Sequence, residues 1–161
     1  MVVDDSSEVR AALRALLDGQ DVEVVAETAD PDEAVDLVAT TKPDAVLLDW
    51  VFGGSARGAL ALASLRRWVP EVPVVVYTAY PEAARRDAAQ MGAAYVATKE
   101  IAQSRDLARV IEKVIEEWAA GGTSEHPSRA GAPGGREGTE GRARRERARA
   151  RLSCPPREPD G

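Results

Sequence analysis

The chain has 161 residues, with 27 Asp and Glu against 21 Lys and Arg, a net charge of −6. One cysteine, Cys154, and one histidine, His126, exclude an internal disulfide framework and zinc sites built from four cysteines or from two cysteines and two histidines. No apolar run is long enough to span a bilayer and no secretory leader precedes the first acids, so a soluble cytoplasmic protein is expected.

From the amino terminus, Val2-Val3 reads as a strand stub. Residues 8–18 follow as a helix, with Val9, Leu13, Leu16 and Leu17 on one face, Ser6 or Ser7 as N-cap and Gly19 as the stop. Val22–Ala26 reads as a second strand, and Pro31–Thr41 as a helix capped by Asp30. Ala45–Leu48 is a fully apolar third strand, Phe52–Ser55 a loop, and Ala59–Val69 a helix closed by Pro70. Pro73–Tyr77 is a β-branched fourth strand, Pro81–Met91 a helix ended by Gly92, and Ala94–Ala97 a fifth strand. Residues 104–120 close the series as a helix whose stripe is Leu107, Val110, Ile111, Val114, Ile115 and Trp118. The three tryptophans read as packing residues. The helix over 81–91 has mostly small apolar residues, Ala83, Ala84, Ala88 and Ala89, which predicts loose packing.

Five strand–helix repeats predict an α/β fold with right-handed crossovers and a parallel sheet covered on both faces. The strands are apolar runs rather than alternations, as doubly covered strands should be. Residues 1–120 form the expected domain; they carry 12 Lys and Arg against 21 acids, a net of −9. Residues 121–161 hold 8 Gly, 5 Pro and 9 Arg against 6 acids, a net of +3, with Leu152 as the single large apolar residue. That composition predicts a disordered tail. The acidic body argues against nucleic-acid binding by the folded part and leaves only a weak opening through the basic tail.

Each strand end carries a chemically useful residue: Asp4 and Asp5 after the first strand, Asp49 after the third, Thr78 after the fourth, Lys99 after the fifth. In an open parallel sheet those carboxyl ends share one edge, where ligands bind. Taken singly, Asp4-Asp5 suits a helix-capping turn, Thr78 a β-former and Lys99 a surface lysine; their joint placement argues for a site. Clustered carboxylates repel one another and fit Mg²⁺, a hard ion with oxygen ligands. A lysine and a hydroxyl beside them suit the charge of a transferring phosphoryl group. A carboxylate nucleophile is then required, and Asp49 is the candidate.

Val2-Val3-Asp4-Asp5, Leu47-Leu48-Asp49, Tyr77-Thr78-Ala79 and Lys99 together resemble the receiver domain of two-component response regulators, over residues 1 to about 118. Val22–Glu27 and Lys99-Glu100 are most similar to receivers that precede helix-turn-helix transcription domains, although no such output domain is expected in the polar tail. The resemblance implies a flavodoxin-like sheet of order 2-1-3-4-5. It implies that Asp49 accepts a phosphoryl group, that Asp4, Asp5, Asp49 and the backbone carbonyl of Val51 hold Mg²⁺, and that Lys99 and Thr78 contact the phosphoryl oxygens. A histidine kinase or phosphotransfer protein is the implied donor. The phosphorylated state is relayed through the face made by the fourth helix, fifth strand and fifth helix, which also offers a surface for a homodimer. No activity on a separate substrate is expected, only self-catalysed phosphorylation and slow autodephosphorylation.

Several positions depart from the pattern. Only three residues precede Asp4, so the sequence reads as starting within the first strand. No proline follows Asp49, and Gly58 arrives one residue later than the family's glycine. Val96 stands where an aromatic residue is usual, and Tyr95 lies one earlier, turned by strand alternation to the other face. Val51 and Tyr80, two beyond Asp49 and Thr78, offer no acid or amide to orient an attacking water, which predicts a long-lived phosphoryl group. Two competing functions remain: a pseudo-receiver that acts as a protein-binding scaffold without phosphorylation, and a Mg²⁺-dependent phosphohydrolase, which would need a second acid close to Asp49 in sequence.

Overall fold

In the computed structural model of the chain, the residues described are 1–79, 81–102, 104 and 106–121. The expectations for Tyr80 and for the tail over 122–161 fall outside them.

The strands are β1 (Val2–Val3), β2 (Glu27–Thr28), β3 (Val46–Asp49), β4 (Val74–Thr78) and β5 (Tyr95–Thr98). The longer helices are α1 (Ser7–Leu17), α2 (Ala34–Thr41), α3 (Arg57–Trp68), α4 (Pro81–Gln90) and α5 (Asp106–Ala119). All strand pairs are parallel and the order is β2-β1-β3-β4-β5. This is the doubly wound arrangement expected for strands joined by helical crossovers.

Burial follows strand alternation. Val3, Val46, Leu48, Val74 and Val76 face a core completed by α2, α3 and α4. Val2, Leu47, Val75, Tyr77 and Ala97 face the opposite core, filled by Leu13 and Leu17 of α1 and by Leu107, Ile111 and Val114 of α5. Helix α1 starts where the Ser6 side chain accepts the Val9 N–H at 3.2 Å. A 3-10 turn, Pro31–Glu33, leads into α2, and the Asp30 side chain accepts the Asp32 N–H.

Two expectations need correction. The second strand pairs at Glu27–Thr28 rather than over Val22–Ala26, because β1 supplies only Val2 and Val3 as ladder partners. Val22 and Val24 keep their apolar faces against the second core without joining the ladder. Lys99–Ala102 forms a helical turn directly after β5, in a stretch to which the sequence assigns no element. Trp68 is 64% exposed, with the Arg67 guanidinium 5.1 Å from its ring, and so is not a packing residue. Trp118 is half-buried at the sheet margin, donating its indole N–H to the Glu71 carbonyl at 3.1 Å.

Candidate functional site

The carboxyl ends of β1, β3, β4 and β5 meet, where Asp4, Asp5 and Asp49 cluster and Lys99 pairs with Asp4 and Asp49. β1 delivers Asp4 into the interior and Asp5 to the surface. Asp4 is fully buried, with Oδ1 accepting the Ser6 N–H at 2.8 Å and Oδ2 accepting the Tyr77 hydroxyl at 2.5 Å. Asp49 ends β3 and is also buried, but its hydrogen bonds are longer. Oδ2 accepts from Lys99 Nζ at 3.1 Å, and Oδ1 has a long 3.4 Å bond from the Val51 N–H. Asp5 is tied to the opposite loop, where its Oδ2 accepts the Gly53 N–H at 2.7 Å.

One oxygen from each of Asp4, Asp5 and Asp49 lies within 4.8 Å of the others. Lys99 Nζ, 3.1 Å from Asp49 and 3.8 Å from Asp4, is a single ammonium against three carboxylates. The surplus is negative charge in a poorly solvated place. Burial accordingly lifts the Asp49 carboxyl above its ordinary range, while Lys99 pulls it back toward the ionised form. The donors are all hard oxygens, the chemistry that suits Mg²⁺ or a similar divalent ion. Thr78 ends β4, fully buried and opposite Thr98 in the ladder.

The loop after Asp49 folds back in a two-residue turn. Phe52 and Ser55 exchange backbone hydrogen bonds of 2.8 and 3.0 Å, while Gly53 and Gly54 both take positive φ, 55° and 77°. This brings Gly58 back against the strand end. A Cβ on Gly58 would lie 2.3 Å from the Asp49 carbonyl oxygen and 2.7 Å from Trp50 Cα. Gly58 therefore closes the joint between β3 and α3. At the far side, Val96 is half-buried against the first core, and Tyr95 is 40% exposed.

Tyr77 was not anticipated as part of the site. Its position in an apolar strand hides it; its hydroxyl was the one sequence signal, and its register beside Asp49 emerges only with the fold. A buried tyrosine hydroxyl needs a partner, and Tyr77 is the ladder partner of Asp49.

Residues 1–112 match the family described as "Response regulator receiver domain". The chain belongs to that family. The receiver is 40% identical over 77 residues to "Protein-glutamate methylesterase/protein-glutamine glutaminase 4" of Geobacter metallireducens, covering 47% of the chain and 22% of that protein. It is 31% identical over 83 residues to "Oxygen regulatory protein NreC" of Staphylococcus haemolyticus, covering 51% of the chain and 38% of the relative. The matches thus span less than two-fifths of these curated relatives. Among solved structures, a LuxR-family two-component response regulator from Aurantimonas sp. SI85-9A1 is 31% identical with a TM-score of 0.65, over 72% of this chain and 83% of that one. Among the described residues, no helix of the receiver is long and apolar enough to cross a membrane.

Proposed function

We propose that this receiver is a phosphorylation-controlled switch that accepts a phosphoryl group on Asp49, in the cytoplasm, from a histidine kinase or phosphotransfer protein. The observation that carries the reading is the ion pair of Lys99 with Asp49, set among two further carboxylates at one sheet edge. Asp4, Asp5, Asp49 and the Val51 carbonyl would hold Mg²⁺, which when bound neutralises charge on the phosphoryl oxygens.

The chain's own groups divide the remaining work. An Asp49 carboxylate oxygen attacks phosphorus and forms the acyl phosphate bond. The bond from phosphorus to the donor's imidazole nitrogen breaks, and the electron pair leaves with the imidazole. Lys99, already against Asp49, turns its ammonium to a phosphoryl oxygen, and the Thr78 hydroxyl donates to another. Thr78 lies three residues before α4, so its movement bears on that helix. The state is then relayed through the surface of α4, β5 and α5, where a partner or second copy docks. No separate substrate is turned over. With Val51 beside Asp49 offering no acid or amide, the phosphoryl group is long-lived.

Intact-mass measurement after incubation with Mg²⁺ and acetyl phosphate tests the reading. One phosphoryl adduct, absent from Asp49→Ala, is expected. No adduct on the folded wild type would leave the scaffold reading; turnover of unrelated phosphate esters would favour a hydrolase. Adduct decay within seconds of removing the donor would overturn the long lifetime.

A further inference from the structure

Tyr77 touches both charged partners of Asp49. Its hydroxyl donates to Asp4 Oδ2, and the Lys99 ammonium lies 5.4 Å from the centre of its ring. Neither contact is needed merely to fill the core, since phenylalanine or leucine would serve there. The hydroxyl makes a charge-assisted bond, stronger than a neutral one. Its ring and the Lys99 side chain also border a cavity of about 260 Å³ against Val9, Leu13 and Leu16 of α1. The ring itself is fully buried, with its hydroxyl on Asp4 and its face toward Lys99.

We propose that Tyr77 is a positioning residue of the acidic site, fixing the Asp4 carboxylate through its hydroxyl and the Lys99 ammonium through its ring face. The inference rests on the cation-binding reading given above. With Tyr77 in place, Asp4 has a donor on each oxygen and keeps one orientation toward Asp5 and Asp49. Without the hydroxyl, Asp4 would be a fully buried carboxylate lacking one donor, and Lys99 Nζ at 3.8 Å is the group that would move to replace it. That shift draws the ammonium away from Asp49. Hydrogen bonds that orient metal ligands commonly carry 10- to 100-fold in affinity.

Calorimetric titration of Mg²⁺ into wild type, Tyr77→Phe, Asp4→Asn and the double variant tests this, with thermal melts to establish folding. Tyr77→Phe should bind Mg²⁺ about 10-fold more weakly. If the hydroxyl acts through Asp4, the double variant should bind no more weakly than Asp4→Asn alone. Wild-type affinity in Tyr77→Phe, or multiplicative losses in the double variant, would overturn the assignment. Absence of Mg²⁺ binding by the wild type would instead overturn the cation-binding reading. Should Tyr77→Phe fail to fold, the wild type still decides: the Tyr77 ring ¹³C resonances should shift along the Mg²⁺ titration, and a resonance that stays fixed would sink the proposal.

Discussion

Helices α4 and α5 flank β5, yet they are held very differently. α5 inserts Leu107, Ile111 and Val114 into the second core. α4 contributes Ala84 and Ala88 as its buried anchors among the described side chains, and Glu82, Arg85, Arg86 and Asp87 are exposed. A buried leucine is worth roughly 1.5–3 kcal/mol by area removed from water, and an alanine far less. The helix that follows Thr78 is thus the one easiest to move, while the helix nearer Lys99 is anchored. The switch proposed above would draw on this asymmetry: a fixed frame to hold the site and a loosely seated element to register a change in it.

The strongest way to break the comparison is to remove the anchor. Leu107→Ala should destabilise by about 3 kcal/mol, measured by urea unfolding, because a fully buried side chain leaves a cavity. A second variant leaves both helices alone and displaces the site. Gly58→Ala should cost about 2 kcal/mol by the same measurement and sharply reduce phosphorylation, since its methyl would overlap the Asp49 carbonyl and Trp50. On the loose side, Ala88→Gly should cost only about 1 kcal/mol, mainly through helix propensity. Hydrogen exchange sharpens the contrast: α4 amides should exchange faster than α5 amides, and a phosphoryl analogue such as beryllium trifluoride should alter α4 protection while leaving the α5 core nearly unchanged.

The smallest expected effect concerns Asp49 itself. Its folded carboxyl titrates above the ordinary value of 3.8, chiefly because it is buried. The folded state therefore binds a proton more tightly than the unfolded state, and stability falls as pH rises from the unfolded pKa through the folded one. At pH 7 the ionised carboxylate is a net burden on the fold. Asp49→Asn should raise the melting temperature by a few degrees at neutral pH, the scale of about 1 kcal/mol. The gap should shrink near pH ~4, where unperturbed Asp is half protonated, and added Mg²⁺ should narrow it at pH 7. Equal melting temperatures at pH 7 without metal would contradict the account.

The sequence made the frame readable because apolar runs and polar strand ends are local signals. Asp4, Asp5, Asp49 and Lys99 converge as their strand-end positions imply, and Thr78 is buried at the same edge. What stayed hidden depends on partners distant in sequence. The paired part of β2 is set by how much of β1 is available, so Val22–Ala26 misleads despite its β-branched residues. Tyr77 looks like one more core residue until the fold sets its hydroxyl against Asp4, 73 positions earlier. Trp68 looks like a packing residue because size suggests burial, but its direction is set by how α3 lies on the sheet. The helical turn at Lys99–Ala102 has too few residues for any periodicity to register.

The turn at Gly53-Gly54 separates the length of the Asp49 loop from the geometry of the Asp49 pocket. Gly53 and Gly54 turn the chain at the surface, while Gly58 reaches the strand end. Such a joint lets sequences drift in length beside a site whose atoms must not move. The glycine pair is the natural place for an inserted peptide or affinity label, and the Asp5 bond to the Gly53 N–H is a contact that such an insertion must preserve.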